Sequence, residues 1–188
     1  MQAIARGAGV NHALIHYYFG SKEKLYEESL REILVTVWGA LRQELQTVPK
    51  DAGFEDLLKT LLKTHARILA AHPEFLPFLL RELLNEERVP ISFKADIVKS
   101  FGEVPRRINE GLLAEIQAGR MRPITPLHFW MNMVGMAAGG FLASRIFQSG
   151  NGLRVAPEVE FNETFFLERA EMIAAVLIRG LRPDAEPA

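Results

Sequence analysis

Apolar residues recur at three- and four-residue intervals along nearly the whole chain, and no stretch of useful length alternates with the two-residue period of a half-buried strand. The stops then place the helices. A short one is predicted over about Gln2 to Ala8, closed by Gly9, and Asn11 caps a second that halts at Gly20 after Phe19. Ser21 caps a long third helix whose apolar positions run through Leu25, Leu30, Ile33, Leu34, Val37, Trp38, Leu41 and Leu45, before Pro49 to Gly53 breaks the chain. A fourth helix is predicted from about Phe54 to His72, with Leu57, Leu58, Leu61, Leu62, His65, Ile68 and Leu69 on its stripe. Pro73 opens a fifth, PEFLPFLLRELLNE, which ends before Pro90. The segment from about Ser92 to Ala118 is predicted to bend or break near Pro105 and to close at Gly119. Thr125 and Pro126 supply a cap and a first-turn proline for a long apolar helix reaching Ser149. Beyond the loop SGNGLRVAP, a last helix covers about Asn162 to Leu181, and the tail RPDAEPA is expected to fray. The pattern predicts an all-α fold.

Composition narrows the class. Hydrophobic residues make up 48% of the 188, enough for a buried core, and the charged 24% is balanced to a net −1, which argues against disorder and against attraction of the whole protein to nucleic acid. The absence of cysteine removes disulfides and thiolate metal sites and suits a reducing cytoplasm, the expected location. MQAIARGAGV lacks the basic leader and apolar run of a signal peptide. The stretch Phe129 to Phe147 approaches the length of a membrane span, but Asn132, Ser144 and Arg145 interrupt it, so a buried helix and no membrane partner are expected. No nucleophile elbow, phosphate loop or HExxH pattern is present, so no enzyme, catalytic residue or cofactor is predicted.

The chemistry concentrates near the N-terminus, in GVNHALIHYYFGSKEKL. Two short helices joined by a glycine turn are the unit of a helix-turn-helix. Ala5 and Ala8 are small enough for the first helix to approach the second, Gly9 can take the positive φ of the turn, and Val10 can plug the junction. Ile15 and Phe19, four apart, would face inward with Tyr18 beside them. His12, Ala13, His16 and Tyr17 fall on the other side, where donors and one small residue suit a groove and its phosphates. Free backbone N–H groups after Ser21, with the Lys22 ammonium, would add a phosphate site. Residues 1–26 carry a formal +2 against −3 on the remaining 162. His12 and His16 have metal-ligand spacing too, but no third ligand stands nearby, and no metal site is predicted.

IARGAGVNHALIHYYFGSKEKL resembles the DNA-binding signature of the TetR family of transcriptional regulators: Ile4, Ala5, Ala8, Gly9, Val10, Ile15, Tyr18, Phe19, Lys22 and Leu25 match in order without a gap. His16 stands where that family usually has tyrosine. The resemblance implies that His12, Ala13 and Leu14 face base edges, that His16, Tyr17 and Lys22 hold phosphates, and that Leu14 offers apolar contact to a thymine methyl. It also implies a preceding helix, with Met1 falling inside the second. The natural start then lies upstream, which the intact motif favours, or the chain is a truncation that has lost operator binding. For these 188 residues we expect weak or absent sequence-specific DNA binding and mobility over residues 1–20.

The same resemblance divides the chain into a helix-turn-helix region with its connecting helix, 1–46, and a helical effector-binding and dimerisation domain, 47–188. It implies a homodimer paired through the last two helices. Gly135, Ala138, Gly139 and Ala143 would allow close approach there, with Phe165, Ile173 and Val176 on the last helix. Candidate effector-pocket residues are His65, Phe75, Phe78, Phe101, Phe129, Met133 and Met136, an inventory that favours a small hydrophobic or aromatic effector. Arg106, Arg107 and Arg145 could pair an anion. The function expected is a ligand-responsive regulator, a repressor released from operator DNA by its effector. The alternative is a truncated helical ligand-binding dimer without DNA function.

Overall fold

The computed structural model describes residues 1–49, 51–83, 102–148 and 159–183, and these form eight helices with no strand among them. They are α1 (Gln2–Ala8), α2 (His12–Phe19), α3 (Lys22–Thr47), α4 (Phe54–Ala71), α5 (Phe75–Leu83), α6 (Glu103–Gln117), α7 (Pro126–Gln148) and α8 (Glu163–Leu181). The fold is all-α.

The main core is built on α4, whose leucines interleave with the inward faces of α6, α7 and α8. Leu58, Ile108, Leu112, Phe129 and Ala174 have no exposed surface, and Phe54 packs its ring 5.7 Å from that of Phe129. Polar ties fix the helices around this core. Trp130 Nε1 donates to Asn109 Oδ1 at 2.8 Å, joining α7 to α6, and the Arg122 amide donates to the Leu181 carbonyl at 2.6 Å, holding the end of α8. Glu171 of α8 pairs with Lys63 and, at 3.9 Å, with Lys59 of α4, and the Lys63 ammonium holds its carboxyl below the usual range.

Whether the chain bends before Pro105 lies outside the described residues, as does the predicted stretch 92–101. Pro105 itself sits in the first turn of α6, where the missing N–H has no intrahelical acceptor to lose, so α6 simply begins at Glu103.

Helix α3 connects two regions. Leu30 and Leu34 pack with Tyr26, Trp38, Phe78 and Leu79 as a separate small cluster against α5, while Leu41 and Leu45, further along, enter the main core. Its C-terminal end is held by Arg107 of α6, whose guanidinium donates to the carbonyls of Leu45, Val48 (2.9 Å) and Pro49 (3.4 Å). Those carbonyls are the unpaired acceptors every helix end leaves, and a cation there also complements the helix dipole. Arg42 pairs with Glu103 at 3.3 Å beside this clasp.

Candidate nucleic-acid interface

The turn between α1 and α2 follows from its residues. Gly9 takes φ 66°, ψ 23°, and its N–H and that of Val10 return to the carbonyls of Arg6 (3.3 Å) and Ala5 (3.0 Å). This paired closure of a helix end needs the left-handed conformation that glycine adopts without strain. Two residues on, the Asn11 side chain accepts from the Ala13 amide at 2.8 Å and opens α2. Ile15 is buried and Phe19 half-buried, while Ala13, Leu14, His16 and Tyr17 are exposed and His12 is intermediate. The His12 and His16 rings meet edge to face with centroids 5.8 Å apart, and no cluster of metal-ligating side chains occurs among the described residues.

Tyr18 and Val10 do not sit where the sequence placed them. Tyr18 is 73% exposed, nearly as open as Tyr17 at 81%, with the two rings edge to face 5.2 Å apart. Val10 is exposed rather than plugging the junction. The inner face of this N-terminal end is narrow: in α1 and α2 only Ala5 and Ile15 are buried, and Tyr18 lies one position outside the sector that Ile15 occupies.

The start of α3 is also more occupied than expected. Ser21 Oγ accepts from the Lys24 amide at 3.2 Å. Glu23 folds onto its own backbone N–H and the Ser21 hydroxyl, which together hold its carboxyl below the ordinary value. An incoming phosphate therefore finds an acidic group already on the helix end, with the exposed ammonium groups of Lys22 and Lys24 beside it.

Residues 1–29, which include the whole of this arrangement, match the family model described as bacterial regulatory proteins, tetR family. That N-terminal segment carries the helix-turn-helix signature of the TetR family. It is 24% identical to the HTH-type transcriptional regulator RutR of Escherichia coli (strain K12), over 97% of this chain and 81% of that protein. Over 49 residues, 26% of this chain and 25% of the relative, it is 41% identical to the HTH-type transcriptional regulator BetI of Vibrio campbellii. The crystal structure of PfmR, a TetR-family transcriptional regulator from Thermus thermophilus, superposes with a TM-score of 0.68 at 18% identity, covering 97% of this chain and 88% of that one. The proteins it resembles are transcriptional regulators, and no helix among its described residues is long and apolar enough to cross a membrane.

The other predicted sites are scattered. His65 lines a cleft between α4, α7 and α8, where burial among apolar groups pushes its pKa down to about 4. Met136 is half-buried near that cleft. Phe129 and Met133 are buried in the main core and do not line the His65 cleft. Phe75 stacks on His72 with rings 4.4 Å apart, and Phe78 packs on Tyr26 of α3, so neither joins His65. Phe101 lies outside the described residues. Of the proposed pairing residues, Gly135, Gly139 and Val176 are exposed, and Ala138, Ala143 and Phe165 are half-buried. Ile173 is buried in its own subunit, where it walls the His65 cleft, and is not open to a partner. Arg106 pairs with Glu110 at 2.9 Å, Arg107 clasps α3, and Arg145 is exposed.

Proposed function

We propose that this chain is a ligand-responsive repressor that reads operator DNA as a homodimer and is released when a small effector enters the helical domain, with 1–46 as the reading part and 47–188 as the sensing and pairing part. The observation that carries the DNA reading is the geometry of α2. Gly9 and Asn11 set its direction, Ile15 anchors it, and His16, Tyr17, Ala13 and Leu14 stand in solvent with Lys22 at the next helix start. Ala13, Leu14 and His12 would meet base edges, while His16, Tyr17 and Lys22 would hold phosphates.

Pairing is supported by an apolar strip no described element covers. Leu127, Met131 and Val134 are exposed along α7, with Gly135 and Gly139 beside them, and Met172 and Val176 are exposed on α8. A two-fold axis through such a strip would set two α2 helices to read half-sites roughly 34–36 Å apart.

The test is selection from randomised duplex DNA at low salt, where phosphate contacts amplify even weak binding. We expect weak but detectable enrichment of two-fold-symmetric sites, in keeping with the weak operator binding expected of these 188 residues, abolished in the His16→Ala, Tyr17→Ala, Lys22→Ala triple variant. Equal enrichment by that variant would overturn the proposal.

A further inference from the structure

The cleft at His65 contains a group its own fold does not satisfy. Arg169, on α8, is half-buried with its guanidinium laid across the backbone of α7 at Gly140. A Cβ at position 140 would overlap Arg169 Nε and stand 2.6 Å from Cζ and 2.7 Å from Nη2, so the guanidinium can occupy this position only over a glycine. Nη2 donates to the Met136 carbonyl at 3.1 Å. Nε is buried with no hydrogen-bond partner, and no carboxylate among the described residues pairs with the guanidinium. The remaining walls are Leu62, Ala66, Leu69, Phe141, Phe166 and neighbouring apolar groups, with His65 the one other polar side chain. The free space is about 20 Å³, enough for one small polar group.

A buried donor without an acceptor costs about 1–3 kcal/mol, and more when it belongs to a charged group. Water in the cleft would supply the hydrogen bond but leave the positive charge uncompensated in apolar surroundings. His65 adds no charge, since its burial keeps it neutral at ordinary pH, yet a neutral imidazole still offers one N–H. The wider recess of about 90 Å³ between α3 and α6 has no such vacancy, because Arg42, Arg106 and Arg107 there are all paired.

We propose that this cleft is the head of the effector site and receives the carboxylate of a small amphipathic acid, one oxygen accepting from Arg169 Nε and the second reaching the His65 imidazole, with the apolar remainder held by Phe141 and Phe166. The inference rests on the effector-responsive reading above and names its ligand class. Because the cleft is small, the tail of the acid must part α4 from α7 and α8 to enter, which is the kind of displacement that shifts a regulator between two states.

Thermal melting of the full chain tests it with acetate, butyrate, benzoate and phenylacetate, each against its primary amide at matched ionic strength. We expect a saturable rise in Tm of a few degrees with at least one acid and roughly tenfold weaker response to its amide, the ratio of one charge-assisted hydrogen bond. Arg169→Met removes the guanidinium and Gly140→Ala crowds it out of the cleft while keeping the arginine, so both should lose the response to acids. Amides as effective as acids, a response retained in Arg169→Met, or no response to any acid would each overturn the assignment. So would a change in oligomeric state of Arg169→Met without any acid response, which would give the guanidinium to a second subunit. The DNA selection above uses no ligand, so failure of the acid assay beside successful selection removes the ligand class alone, and the converse removes DNA reading alone.

Discussion

Acidification should weaken this protein through His65 in a way a non-titrating side chain removes. The imidazole sits in an apolar cleft that penalises its charged form, taking its pKa from 6.5 to about 4. The folded state therefore binds a proton less readily than the unfolded chain. At pH 7 both states hold a neutral imidazole and the group costs nothing. As pH falls below 6.5 the unfolded state gains a proton that the folded state refuses, and stability declines by about 1.4 kcal/mol per unit until about pH 4. Two and a half units would make the full loss about 3.4 kcal/mol, an upper bound because His65 keeps some exposed surface. The assay is urea unfolding of the wild type and of His65→Gln at pH 7, 6 and 5, at fixed protein concentration because association also contributes to stability. Carboxylates such as Glu171 and Glu115, held low by Lys63 and Arg120, lose their stabilising pairs only as pH drops through lower values, and they do so in both proteins. What matters is thus the divergence between the two curves, about 2 kcal/mol by pH 5. With slopes of about 1–3 kcal/mol per molar urea, that divergence is about one molar in the midpoint. Parallel curves from pH 7 to pH 5 would refute the claim that the cleft penalises the charged imidazole.

Three further outcomes follow from the geometry. Arg107→Met should lower stability by about 1.5–3 kcal/mol, as loss of charged donors to helix-end carbonyls does, and hydrogen exchange should accelerate at the C-terminal end of α3 first. Val176→Glu places a charge on the exposed strip of α8 and should shift sedimentation equilibrium toward monomer with little change in intrinsic fold, whereas an unchanged oligomeric state would remove α8 from the pairing surface. Ile15→Ala should cost about 2–4 kcal/mol locally, read as faster exchange confined to residues 1–29, with the midpoint of the main transition unmoved.

The helices were legible because their signals are local. Gly9, Asn11, Ser21 and Asn162 each do in the structure what their chemistry predicts, closing or opening a helix within a few residues. Pro105 stands in the first turn of α6, where proline is tolerated and its missing N–H costs no intrahelical bond. Tyr18, by contrast, misled. Helical periodicity gives the direction a side chain takes but not how much partner surface lies there, and the inner face beside Ile15 is too narrow to cover a second aromatic ring. Arg169 over Gly140 was not signalled by the sequence, and Arg107 read there as an anion partner rather than as the clasp on the end of α3. Each joins residues far apart in the chain, and a lone arginine on an amphipathic helix reads as a solvated charge until the neighbouring helix is in place.

Those two arginines also suggest how the parts communicate on the proposed reading. α3 begins at the phosphate-facing Lys22 and ends in the clasp of α6, so its tilt is fixed at the far end by Arg107 and by the Arg42–Glu103 pair. Between these points it is gripped by the small cluster around Leu30 and Leu34 and, further along, by the main core through Leu41. The sensing cleft lies on the other side of α4, and α4 is packed against α3, α6, α7 and α8 alike. Any ligand that parts α4 from α7 and α8 must push α4 toward α3 or α6, because close-packed interiors compress poorly. A helix as long as α3, 26 residues or about 39 Å at 1.5 Å per residue, converts a tilt of about five degrees at the clasp into about 3 Å at Lys22. That displacement is comparable to a hydrogen-bond length, enough to take a phosphate-holding residue out of register. Loosening the clasp should therefore uncouple the two ends: Arg107→Met ought to bind acids as the wild type does, yet show a smaller change in DNA affinity when they bind. Full coupling in that variant would place the transmission elsewhere, through α5 and the Leu30 cluster.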